Sequence, residues 1–230
     1  MNKSVGVIGG LGPETTAEFY LRVIFGYQKF NAERRPSVII ASVPLPFEIE
    51  RDFIRSNTSK ERCIPYLIGE AQRLEKAGAS FLVMPCNTLH MFIERIRDSV
   101  NIPVLSIVEE TVKYIKKNNL AKVGLISTLA TVKNGVYENI FKRENIDFFV
   151  PDDLKKAEIN EIILRLINGK RLDTDRETIL EVARNFKNIG ADAVVLACTD
   201  LQLLQPSSDL IKIIDTMKIL ADATVSYMLK

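Results

Sequence analysis

The chain has one histidine, three cysteines, almost no net charge and no apolar run long enough to cross a bilayer. Each scarcity excludes something. With His90 alone and no metal-ligand spacing around it, a metal centre is not expected. Three cysteines, Cys63, Cys86 and Cys198, are odd in number and far apart, so no disulfide framework is expected. Free thiols suit a reducing cytoplasm, which is the expected location. The 31 basic side chains nearly balance the 29 acidic ones. With no basic stripe, and with Arg34-Arg35 and Lys116-Lys117 read as solvated pairs, a nucleic-acid partner is not expected. No apolar run approaches the roughly 20 residues of a membrane span, so no membrane partner is expected. The opening "MNKSVGVIGG" lacks the apolar stretch and small-residue cleavage site of a secretory signal. "GGLGPE" lacks the third glycine of a dinucleotide fingerprint, and no phosphate-loop motif occurs, which excludes a nucleotide cradle.

Against these absences stand short apolar runs separated by amphipathic stretches. Residues 4–8, 37–43, 80–84, 102–107, 122–127, 146–150, 192–197 and 211–215 read as strands, each rich in Val, Ile or Phe. Continuous apolar runs of this length fit strands covered on both faces of a parallel sheet. "PETTAEFYLRVIFGYQ" opens with Pro13 and Glu14, suited to a first helical turn. The helical stretches 59–78 and 176–190 end at Gly78 and Gly190, as C′ glycines do. The alternation predicts an α/β fold.

The chain also repeats itself. "GASFLVMPCNT" aligns without gaps on "GADAVVLACTD" at an offset of 112 residues, which relates Gly78 to Gly190 and Cys86 to Cys198. "SVGVIGGLG" resembles "KVGLISTLA" at an offset of 118. Two coincidences in the same order predict two pseudo-symmetric α/β domains, each with a roughly four-stranded, mainly parallel sheet flanked by helices. The division is residues 1–103 plus 216–230 for the first and 104–215 for the second. The final helix is expected to pack back on the first half.

Ligands in open α/β sheets bind beyond the carboxyl ends of the strands, where "GGLGPETT", "PCNT", "STLAT" and "ACTD" stand. If the halves face each other about a pseudo-twofold axis, Cys86 and Cys198 line opposite walls of one cleft. Disulfide reduction would ask for neighbouring cysteines, which are absent. Two-base proton transfer fits better: one thiolate takes a proton from carbon while the opposite thiol delivers one to the other face. A thiol titrates near pH 8.5 (roughly), and a helix start just after each cysteine would help it ionise. Asn87, Thr88 and Thr199, with the backbone N–H groups of the same turns, suit a carboxylate substrate. Thr15, Thr16 and Thr128 would add hydroxyl donors, or serve simply as helix caps. The glycines of the first turn, Gly10 among them, would let the backbone approach a small substrate closely.

These residues resemble the aspartate/glutamate racemase superfamily, and within it the aspartate racemase branch. The likeness rests on "GVIGGLGPETT", "MPCNT.H" at 84–90 and "ACTD" at 197–200, and it runs along essentially the whole chain. It implies a cofactor-independent isomerase interconverting L- and D-aspartate in an interdomain cleft, with Cys86 and Cys198 as paired acid and base. Glutamate is the alternative substrate, and a cytoplasmic homodimer is implied. The second motif departs from the branch, which usually carries Glu where Asp200 stands; Asp200 would lie near the substrate ammonium or Cys198. A basic residue for the distal carboxylate is sought in "FEIERDFIR", where Arg51 is favoured over Arg55.

Cys63, on an amphipathic stretch without a motif, reads as a small buried hydrophobe. His90 follows Cys86 by one helical turn and reads as an orienting residue rather than a proton carrier. A thiol hydrolase built on Cys86 would have only His90 as base. A two-lobed amino-acid-binding protein would keep the repeat and cleft but leave paired cysteines idle.

Overall fold

A computed structural model describes residues 3–56, 58 and 60–230. The first half contains β1 (Val5–Gly9), α1 (Pro13–Gln28), β2 (Val38–Ser42), α2 (Phe47–Ser56), α3 (Ile64–Lys76), β3 (Phe81–Val83), α4 (Ile93–Arg97) and β4 (Val104–Leu105). After α5 (Ile107–Lys117) come β5 (Lys122–Ser127), α6 (Leu129–Lys133), α7 (Glu138–Arg143) and β6 (Asp147–Phe149). The chain closes with α8 (Asp153–Ile167), α9 (Asp173–Asn188), β7 (Ala193–Ala197), β8 (Lys212–Asp215) and α10 (Thr216–Met228). Every predicted strand is present, shortened by a residue or more at an end in all but β1, which shifts by one, and β5. The run 102–107 shortens most, because Ser106 caps α5 by accepting the Glu109 N–H and so ends the strand early. No helix among the described residues is long and apolar enough to cross a membrane.

The two sheets are wholly parallel and share one strand order, β2-β1-β3-β4 and β6-β5-β7-β8. The registers reproduce both sequence offsets, since Val5 pairs with Phe81 as Val123 pairs with Ala193. The duplication read from the sequence is therefore a duplication of strand pairing. One boundary moves: β4 begins at Val104, beyond the division at 103/104, and hydrogen-bonds to β3 in the first sheet.

Side chains alternate along each strand, so each sheet has two packed faces. Val5, Val7, Phe81 and Val83 join Val123, Leu125, Ala193 and Val195 in one core that also takes in α1, α5 and α10. The opposite parity, Leu82 and Met84 in β3's line and Val194 and Leu196 in β7's, fills a separate outer core in each half. Helix α10 packs on α1 and on α5. Cys86 continues the parity of Leu82 and Met84, and Cys198 that of Val194 and Leu196. Strand period alone thus turns both thiols toward the same kind of face.

Equivalent glycines serve packing in both central strands. A Cβ on Gly6 would stand 2.6 Å from Leu82 Cδ2, and one on Gly124 would stand 2.2 Å from Phe186 Cδ2. Helix α9 therefore lies on β5 only because position 124 has no side chain. Gly124→Ala should lower stability by about 1–3 kcal/mol through overpacking. The check is a fall in urea midpoint at unchanged slope, with partial recovery when Phe186→Leu is added.

Candidate active site

Both thiols line one small cavity at the carboxyl ends of β3 and β7. Cys198 is 5% exposed and Cys86 somewhat more open. Each loop enters a short 3-10 turn, Thr88–Phe92 after Cys86 and Thr199–Leu204 after Cys198. Each sulfur is met by two backbone N–H groups of its own turn, those of Thr88 and Leu89 at Cys86 and of Asp200 and Leu201 at Cys198. These pairs are again related by 112 residues. The donors favour the thiolates, but burial outweighs them. Desolvation pushes the Cys86 thiol up to about 12, with Asp200 and Glu50 adding to the rise. Cys198 is raised well above the ordinary thiol range, first by burial and then by Asp200.

The hydroxyl and amide groups expected to bind substrate mostly hold the two halves together. Thr88, Thr128 and Thr131 form a closed ring of hydroxyls with oxygens 2.9–3.1 Å apart. Each has a single hydrogen, so a cyclic arrangement consumes all three as donors. Asn87 accepts the Tyr137 hydroxyl on Oδ1 at 2.5 Å, and its Nδ2 donates to Thr216 at 3.1 Å. Thr199 donates to the Pro85 carbonyl at 3.2 Å, tying one cysteine loop to the other. Asn87, Thr88, Thr128 and Thr199 still line the cavity. Thr15 and Thr16 do not; both donate to the Gly12 carbonyl, and Thr16 accepts the Gly10 N–H, fixing the first turn. Gly10, at φ +80°, takes a left-handed conformation that favours glycine and borders an adjoining cavity.

Asp200 sits against Cys198, whose Sγ–H donates to Oδ2 at 3.7 Å. Burial raises the Asp200 carboxyl to about 7. Gly12 makes room for it, since a Cβ there would stand 2.7 Å from Oδ1. The repeat-equivalent of Asp200 is Thr88, so the pseudo-symmetry of the thiols does not extend to a carboxylate beside Cys86. His90 takes the orienting role. Its Nε2 accepts the Ile107 N–H at 3.1 Å, so the proton is on Nδ1 and is donated to the Cys86 carbonyl at 2.6 Å. One neutral ring thus pins the Cys86 loop to the first turn of α5, and burial lowers its pKa to about 4.

The remaining walls come from positions that carry no motif. Leu11, Leu45, Phe53, Ile54 and Ile167 are apolar, and Glu50 on α2 is acidic. Arg51, the favoured partner for a distal carboxylate, borders the adjoining cavity instead. Its side chain is 62% exposed and its Nε is 3.5 Å from Asp52 Oδ1. The side chain of Arg55 lies outside the described residues. Cys63 is fully buried in the first half's outer core. Among the described residues no group of three His, Cys, Asp or Glu side chains is arranged to hold a metal ion.

Two thiols are thus presented from equivalent strand ends to one small cavity. The profile of the Asp/Glu/hydantoin racemase family matches residues 8–224, and the chain belongs to that family. It is 30% identical over 230 residues to the "Broad specificity amino-acid racemase RacX" of Bacillus subtilis (strain 168), covering 98% of each chain. Among solved structures it resembles an aspartate racemase homologue from Pyrococcus horikoshii OT3, at TM-score 0.80 and 27% identity over 99% of this chain and 100% of that one. The aspartate racemase of Picrophilus torridus is similar at TM-score 0.80 and 26% identity, over 99% and 95% of the two chains.

His90 predicts an acid limb of stability. The unfolded chain protonates its histidine near pH 6.5 (about), the folded chain only near 4. The folded state therefore binds fewer protons between those values. Stability from this source is complete above 6.5 and is lost as pH falls toward 4, by about 3 kcal/mol. Urea unfolding of wild type and His90→Gln at pH 7 and pH 4 isolates the effect. The wild type should lose more stability than the variant over this range, by an amount of that order.

Proposed function

We propose that this member of the family racemises an amino acid without a cofactor, by two-base proton transfer between Cys86 and Cys198. The supporting observation is that the two thiols, equivalent in the repeat, border the same cavity under matching pairs of backbone N–H groups. One sulfur, as thiolate, takes the α-proton; the other, as thiol, returns a proton to the opposite face, and the carbon inverts. Charge developing on the substrate carboxylate as the α-carbon loses its proton is met by hydroxyls of the Thr88–Thr128–Thr131 ring, which must open to donate.

Burial favours the neutral form of both thiols, and substrate binding supports the ionisation of one of them. An incoming ammonium group near Asp200 and the sulfurs supplies the positive charge that favours a thiolate. Asp200, within reach of the Cys198 proton, acts as its local acceptor, a role with no counterpart beside Cys86. The two enantiomers therefore meet chemically unequal walls. Aspartate and glutamate, implied by the family resemblance, are the reference substrates.

Cys86→Ser and Cys198→Ser should each abolish racemisation while leaving the fold intact, because a serine hydroxyl ionises far too weakly to act as the base. Chiral chromatography after incubation in D₂O reads both inversion and α-deuteration; substantial racemisation by either variant would sink the two-base scheme. For wild type, kcat/KM should climb with pH through about 7 as the Asp200 carboxyl loses its proton. Asp200→Asn should remove that rise and lower turnover by roughly 100-fold or more.

A further inference from the structure

The described walls of the cavity holding the two thiols are apolar and acidic. Among the described residues no Lys or Arg lines it, whereas Glu50 and Asp200 both do. Asp200 is engaged by Cys198. Glu50 is different. Its neighbours Glu48 and Asp52 are paired with Arg62 and Arg51, yet the Glu50 carboxylate has no hydrogen-bond or ion-pair partner among the described residues. A partly desolvated carboxylate left unpaired costs stability, and here it faces the space a substrate must enter. Phe53 and Ile54 on the same helix, with Ile167 from α8, give the path to it an apolar lining.

Resting on the racemase reading above, we infer that Glu50 selects the substrate's side chain. The substrates are amino acids with a long apolar stem and a positively charged tip, an ammonium or guanidinium group. The stem lies along Phe53, Ile54 and Ile167, as the alkyl parts of Lys and Arg cover apolar surface in proteins. The tip meets Glu50, while the α-carbon stays between the sulfurs with its ammonium toward Asp200. A dicarboxylic acid in the same pose would bring its second carboxylate toward Glu50, with no cation among the described lining residues to meet it. The choice also serves the chemistry, because the charge of Glu50 opposes ionisation of Cys86, and a cationic tip offsets it.

The test measures kcat/KM for α-deuterium exchange, and Kd by calorimetry, with L-lysine, L-arginine, L-norleucine, L-aspartate and L-glutamate. Wild type, Glu50→Gln and Glu50→Arg are compared. Lysine or arginine should lead the series, and Glu50→Gln should reduce the lysine-to-norleucine ratio by on the order of 30-fold. Glu50→Arg should raise aspartate or glutamate relative to lysine. Aspartate or glutamate leading in wild type would overturn the inference. So would an equal loss for lysine and norleucine in Glu50→Gln, which would assign Glu50 to the α-ammonium. Glu50-dependent lysine binding without exchange of any amino acid would keep the selectivity and overturn the racemase reading. Neither binding nor exchange would overturn both.

Discussion

The cleft depends on one packing constraint: two parallel sheets share a single core with α1, α5 and α10. Because that core takes one face of every central strand, β3 and β7 cannot move independently, and the loops at their carboxyl ends are held over a common space. The seam is then closed by polar groups rather than by further apolar contact. The threonine ring, the Tyr137–Asn87–Thr216 chain and the Thr199–Pro85 bond each join one half to the other. Hydrogen bonds are directional and costly to leave unmade once buried. They fix the cysteine loops to one another more narrowly than hydrophobic contact would.

Desolvation is the second determinant. The same enclosure that positions the thiols raises their pKa values and that of Asp200, which favours the protonated sulfurs. In the proposed reaction, positive charge arriving with the substrate favours the thiolate. Glu50 and Asp200 make the cleft receptive to that charge, and the backbone donors above each sulfur are already in place. A neutral His90 adds rigidity without adding charge, since both of its nitrogens are occupied by backbone partners.

Several features were legible in the amino-acid order because they are periodic or local. Short apolar runs mark buried strands through their two-residue alternation, and that same alternation puts the thiols in phase with the outer cores. The offset of 112 residues survives as a shared strand register, since a duplicated unit keeps its pairing when its spacing is kept. The hydroxyls were legible as donors but not by their partners. Threonine announces a donor, but its only hydrogen goes to whichever acceptor the fold brings nearest, and for Thr88, Thr128 and Thr131 those acceptors are one another. Arg51 was legible as a charge and not as a direction, because a residue beside the cavity on α2 differs from one lining it by only one step along the helix.

By itself, then, the sequence determined the fold class, the duplication, the order of the strands and the two cysteines as a matched pair. All of these follow from patterns repeated along the chain. The tertiary structure alone decided which side chains surround the thiols. Glu50 and Phe53 come from α2, Ile167 from α8 and the space for Asp200 from Gly12, segments far apart in sequence that carry no motif. Their convergence depends on how helices seat against sheets, and a seat is set by the volumes of both surfaces at once, as Phe186 against Gly124 shows. Charge balance in the cleft is likewise a property of that assembled neighbourhood, because burial and distance, rather than residue type, set what each carboxylate and thiol becomes.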